Sequence, residues 1–132
     1  RAGRSVAQGL RSQLRKDGWL AGAFDDGWMP TASHVCVTGL AQLAGCWLRL
    51  AQVQQDTGWC DAAWRALAWI KRNQRTEGID LELRDALSDT VPIWSGPGAF
   101  GFDTLNAKHF ADALMMDMVG IAIPPEAHER RK

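Results

Sequence analysis

The chain has 132 residues, the size of one ordinary domain, and 46% of them are apolar, enough to bury a core. Its 15 basic and 15 acidic residues cancel. That balance excludes the basic excess of a nucleic-acid binder and the polybasic segment of a membrane-surface anchor.

Val6, Leu10 and Leu14 recur at i, i+4 and i+8, with Ala7 beside them, which predicts a first helix over residues 4–16. Arg1, Arg4, Arg11, Arg15 and Lys16 make this segment basic, as a solvated face does. Lys16-Asp17-Gly18 is a stop signal, because glycine accepts the positive φ at which helices end. Residues 18–32 read as a loop with three glycines, two adjacent carboxylates and two Trp; Asp26-Gly27 signals a turn and Pro30 a break.

Residues 33–54 give the strongest helical signal, with Thr31 or Ser33 as the expected N-cap. Val35, Cys36, Val37, Leu40, Ala41, Leu43, Ala44, Trp47, Leu48, Leu50, Ala51 and Val53 cover most of its circumference, as expected of a helix buried on most sides. His34, Thr38, Gln42, Arg49 and Gln52, with Gly45 between, share one narrow polar stripe that should face water or a wet cavity. Gln55-Asp56-Thr57-Gly58 is a short connector, and residues 59–75 form the return helix, with Cys60, Ala63, Trp64, Leu67 and Ile70 inward. A short connector makes the two helices antiparallel neighbours.

Residues 77–103 lack a helical period. Ile79, Leu81 and Leu83 alternate with Asp80, Glu82 and Arg84, which reads as a short strand; a short helix around Leu81–Leu87 is the alternative. Val91 to Phe102 holds too many glycines and prolines for a helix. Loops this long are usually functional or disordered, and the aromatic content here opposes disorder. The last helix is expected over 104–118, capped by Asp103 or Thr104, with Ala107, Phe110, Ala111, Leu114, Met115 and Met118 as its apolar face.

No stretch of about 20 mostly apolar residues occurs, so no membrane span is expected, and residues 1–15 do not read as a signal peptide. Cys36 and Cys46 lie about 15 Å apart along one predicted helix, too far for a disulfide. Cys46 and Cys60 could meet across the connector; three free thiols in a reducing cytoplasm is the preferred reading. His34-x-Cys36 lacks the second ligand pair of a zinc signature, and no metal or cofactor site is expected. Gly96-x-Gly98-x-x-Gly101 has dinucleotide-loop spacing without the strand–turn–helix context.

The chain holds seven Trp and no Tyr. Trp47, Trp64 and Trp69 are expected in the core, and Trp59 against the connector. Trp19, Trp28 and Trp94 fall in loops beside glycines, where an indole either plugs the end of a helical bundle or offers a flat platform to a sugar ring. Asp25 and Asp26 are carboxylates able to act as acid and base, although Asp before Gly also simply favours turns. His34 and His109 sit near predicted helix starts, where an imidazole either shuttles protons or packs.

Asp26-Gly27-Trp28, Cys36-Val37-Thr38-Gly39-Leu40-Ala41-Gln42, Trp47-Leu48-Arg49-Leu50, then Asp56, Ala62-Ala63 and Ala66-Leu67, resemble an inner–outer hairpin of the α/α-toroid proteins. That grouping includes six-hairpin glycosidases, polysaccharide lyases and terpenoid cyclases. Val91-Pro92-Ile93-Trp94 and Ala107 to Leu114 look like a later loop and helix of the same type, so the resemblance covers residues 18–118. It implies an all-α fold of antiparallel helical hairpins, a partial toroid with a long Gly- and Trp-rich loop. It also implies a ligand cavity at the inner-helix ends. A closed toroid needs more helices than this chain supplies, so residues 1–132 would be one helical domain, a fragment or a reduced relative, able to self-associate or to meet the missing remainder of the ring.

The functional expectation is a sugar-sized cleft where the loops 22–30 and 91–102 gather at one end of the bundle. Asp25, Asp26 and His34 would supply any chemistry of glycoside hydrolase or lyase type. Trp28, Trp94, Thr38, Gln42 and His109 would hold an oligosaccharide. Two other readings stand beside it: a non-catalytic helical-repeat scaffold binding a protein partner, and a terpenoid-cyclase-like fragment with an apolar cavity.

Overall fold

The structure, a computed structural model, describes residues 2–74 and 85–118. Four helices dominate: α1 (Ala2–Gln13), α2 (Val37–Gln54), α3 (Thr57–Asn73) and α4 (Thr104–Met118). Two short strands, β1 (Val35–Cys36) and β2 (Thr90–Val91), pair antiparallel, with Val35 opposite Val91 and Cys36 opposite Thr90. The strand or short helix expected around residues 79–84 lies outside the described residues. Among the described residues no helix is long and apolar enough to cross a membrane.

The helix α2 is the centre of the fold. Leu40, Ala41, Ala44, Trp47, Leu48 and Ala51 are buried at 2% exposure or less, and α1, α3 and α4 all pack against it. Trp47 has no exposed surface, and its indole N–H donates to the Ala7 carbonyl at 3.1 Å, tying α1 to α2. The helix starts at Val37, later than the expected 33, because residues 35 and 36 are drawn into the ladder with β2 and Val37 N–H donates to the Asp89 carbonyl. Its N-cap is therefore Cys36 rather than Thr31 or Ser33, and the Cys36 side chain makes no capping bond.

Gln55, in the left-handed region at φ 52°, ends α2, and Asp56 starts α3 by accepting the Gly58 N–H at 2.8 Å. The approach of α3 to α2 is lined by small residues: Ala62, Ala63 and Ala66 are fully buried. Trp64 departs from its expected core position. It is 53% exposed and donates its indole N–H to Asp117 of α4 at 2.7 Å. Trp59 is buried, with the Arg11 guanidinium 4.3 Å above its ring and its N–H on Gln54.

The polar stripe of α2 is divided between water and α4: Gln42, Arg49 and Gln52 are exposed, as expected, and its first half also meets another helix. The helix α4 lies along that half. Thr38 donates to Asn106, the Gln42 amide meets His109 Nε2 at 3.0 Å, and Gly45 faces Met116. Polar groups of one helix can satisfy those of another as well as water can. On α4, Lys108 and Asp112 form an exposed i, i+4 pair at 2.8 Å, and that hydrogen bond holds the Asp112 carboxyl below the usual carboxylate range.

All three cysteines are free, Cys36 and Cys46 exposed and Cys60 buried. Burial pushes the Cys60 thiol above its ordinary range, and the charges of Asp117 and Asp56 add to the effect. Only the thiolate reacts with thiol reagents. Titration with such a reagent should therefore count two thiols in the native protein and the third only in denaturant; a native count of three would mean that the α2–α3 contact opens readily.

Candidate binding cleft

Residues 14–34 form an ordered loop fastened to α3. Arg65 and Arg72 of α3 donate to the carbonyls of Arg15 and Asp17, and the Arg15 guanidinium lies 4.0 Å over the half-buried Trp19 ring. Leu20 and Ala21 then enter the core. Beyond them the chain doubles back on itself: Gly22 N–H donates to the His34 carbonyl at 2.7 Å, Thr31 N–H to Ala23, and Phe24 bridges Pro30.

The tip of this small hairpin is built by Asp25. One carboxylate oxygen accepts the backbone N–H groups of Gly27 and Met29, each at 2.9 Å. A carboxylate that folds back on the next residues in this way is doing turn chemistry. Asp26 is exposed at the same tip. Trp28 is half-buried; its ring lies against Gly9 of α1 and beside Phe24, with ring centroids 6.3 Å apart. Trp28 thus packs the hairpin onto the first helix.

The second loop, residues 92–103, is organised by Asp89. Its backbone N–H donates to the Gly101 carbonyl at 2.9 Å, and its Oδ1 accepts from the Asp103 N–H at 2.8 Å and from the Asn106 amide. Its side chain lies so close to Gly98 and Gly101 that a Cβ at either position would overlap it. Asn106, with no exposed surface, closes the network: its amide also donates to the Leu87 carbonyl at 3.2 Å, and its oxygen accepts from Thr38. Asp103 caps α4 by accepting the Leu105 N–H at 2.9 Å.

His34 is where the two loops meet. Its ring is flanked by Gly22 on one side and Gly96 on the other; an added Cβ at either would stand within 3 Å of it. Gly96 also has φ 81°, a conformation that side chains resist. Gly96→Ala should therefore cost about 1–3 kcal/mol and displace the His34 imidazole, read as a lowered melting temperature together with shifted His34 ring resonances. Unchanged His34 resonances would mean that the two loops do not meet at this ring.

Beside the imidazole lies a cleft of about 350 Å³, lined by Gly22, His34, Cys36, Thr38, Asp89, Thr90, Pro97, Gly98, Asp103 and Leu105. The size falls in the range of about 300–1,000 Å³ typical of small-molecule sites. Trp94 is 69% exposed on the turn that carries Gly96. Of the eight residues that sequence reasoning selected, His34 and Thr38 line this cleft. Gln42 and His109 lie in a separate groove of about 460 Å³ between α2 and α4, which shares no lining residue with the first. Asp25, Asp26, Trp28 and Trp94 line neither. A third, mostly apolar groove of about 320 Å³ runs past Leu10, Leu20, Phe24, Leu40 and Leu43.

Asp89 and Asn106 were not selected from the sequence. Asp89 had a readable signal: a carboxylate just before a loop whose glycines expose backbone N–H groups. Asn106 had none, because its partners lie on other elements. Among the described residues no group of three or more His, Cys, Asp or Glu side chains forms a metal-ligand set. No family model, curated protein or solved structure matches the chain, so the functional reading rests on the cleft itself.

Proposed function

We propose that the protein binds a sugar-sized, hydroxyl-rich ligand in the cleft beside His34. One observation carries the reading: two irregular loops, each held by a carboxylate-centred hydrogen-bond network, converge on a single imidazole and leave beside it a concave space with a mostly apolar wall and a few polar groups. Sugar hydroxyls need both donors and acceptors, and the His34 imidazole, which lines the cleft, can act as either. Trp94, on the turn next to Gly96, would offer its flat face to the ring carbons.

Recognition is favoured over hydrolysis. A glycosidase needs two carboxylates whose oxygens face the substrate. Here Asp25 accepts from Gly27 and Met29, Asp89 from Asp103 and Asn106, and Asp103 from Leu105. These carboxylates build the loops. In this reading α2, packed on several sides, is the inner helix of a partial α/α-toroid and α3 its antiparallel outer partner.

Calorimetric titration with neutral, acidic and amino sugars tests the proposal. Binding by one class, weakened by Trp94→Ala and by Gly96→Ala, is the expected result. The competing scaffold reading is favoured by Trp64, Met115 and Met118, which are 53%, 56% and 82% exposed on α3 and α4. No heat from any sugar would leave that reading ahead.

A further inference from the structure

The third groove, about 320 Å³ in volume, takes its walls from three elements: Leu10 of α1, Leu20, Ala21 and Phe24 of the loop 14–34, and Leu40 and Leu43 of α2. Leu10, Phe24 and Leu43 pack against the core and stay only partly buried. The groove is open where α2 carries a glycine. Gly39 lines it, and a Cβ built there would meet the Cys36 side chain with nothing nearer than its Sγ at 3.4 Å. A larger residue at 39 would therefore reach into the groove. From Gly39 to Cys46, both on its wall, α2 advances about 10 Å. The groove also meets the loop cleft, because Gly22 and Cys36 line both. Gly22 has no side chain to divide the two spaces, and the His34 ring stands directly beside it. One concave surface thus runs from the imidazole to the leucines of the α1–α2 gap.

We infer that the ligand is an amphipathic glycoside, with its sugar head beside His34 and a single alkyl chain lying in the groove. The inference rests on the sugar reading of the cleft and names the ligand class. Apolar walls left in water gain free energy when an apolar group covers them. A partner helix, about 10 Å across, does not fit a space of this volume, whereas one alkyl chain of medium length does. Entry of the chain past Gly22 and Cys36 joins it to the head without crossing the packed core.

Binding of methyl, hexyl and octyl glycosides of glucose, glucuronic acid and glucosamine is measured by calorimetry, below the concentrations at which they form micelles. For the sugar that binds, affinity should rise about tenfold from hexyl to octyl, close to the limit for two buried methylenes. Gly39→Leu should abolish that gain and leave the methyl glycoside unchanged. Glycine inside a helix is disfavoured, so this variant keeps the fold, and its melting temperature checks that it does. A second readout uses the wild-type protein: amide shifts at Gly39 and Leu43 should appear with the octyl glycoside and not with the methyl one. Equal affinity for the methyl and octyl forms would overturn this inference and leave the sugar reading standing. A tail gain that survives Gly39→Leu, or that maps to the exposed Trp64 and Met118, would also overturn it. Octanol bound as tightly as the octyl glycoside would overturn both.

Discussion

Trp47→Ala should lower the unfolding free energy by about 4 kcal/mol, within the range of large aromatic-to-alanine changes in cores. Trp47 has no exposed surface at the point where α1 meets the central helix. Its removal leaves a cavity that α2 cannot collapse around, because α1, α3 and α4 hold it from different sides. It also leaves the Ala7 carbonyl without its donor, which adds about 1 kcal/mol. Trp64→Ala is the matched control. That indole is half in solvent and donates to a half-buried partner, so its loss should cost about 1 kcal/mol or less. Urea denaturation of both variants checks the pair. Similar losses from the two would mean that the core is not centred on α2.

Asn106→Leu keeps the volume and removes the hydrogen bonds. It should cost about 2–4 kcal/mol, because each buried group left without a partner pays its full desolvation. Three groups are affected: the Leu87 carbonyl, the Thr38 hydroxyl and the Asp89 carboxylate. The effect should also be local. The loop 92–103 depends on Asp89, and Asp89 depends in part on Asn106, so amide exchange should accelerate in that loop before it does in α2 or α3. A loss below about 1 kcal/mol, with exchange unchanged in the loop, would mean that the network does not hold it.

The helix spans were legible because their apolar periods are long, although the face expected of α4 was not: Ala107, Ala111, Met115 and Met118 are exposed, and Asn106, Phe110 and Ala113 are buried. Val6, Leu10 and Leu14, or Leu40 to Ala51, repeat for several turns and bury as the pattern requires, except that Val6 stays half-exposed. The two-residue strands were not legible, since two residues cannot display an alternation. They cost the helix assignment its first turn at residues 33–36. Trp64 was misplaced because its spacing from Cys60 and Leu67 fits an inward stripe. Side-chain size decides otherwise, since the close approach of α3 to α2 admits Ala62, Ala63 and Ala66 and leaves the indole at the edge. The stripe from Thr38 to Gln52 was read correctly as polar, but its partner was not visible. Thr38 meets Asn106 and Gln42 meets His109 across 68 and 67 residues, and a polar stripe alone does not say whether water or another helix will satisfy it.

At the cleft, His34 and Thr38 could be selected because they sit at the start of the central helix. The acidic pair Asp25-Asp26 drew attention as chemistry, yet Asp25 is the residue that makes the turn. The carboxylate that shapes the cleft, Asp89, lay in a stretch without periodicity. Its importance comes from bonds to residues 14 and 17 positions away.

The most direct measurement of the central claim is amide chemical-shift mapping during titration with a panel of neutral, acidic and amino sugars. The account predicts saturable shifts at Gly22, His34, Gly96 and Gly98, together with the Trp94 indole. The amides around Gln42 and His109, in the separate groove, should stay in place. Shifts confined to that groove or to the Trp64 face, or none anywhere across the panel, would contradict it.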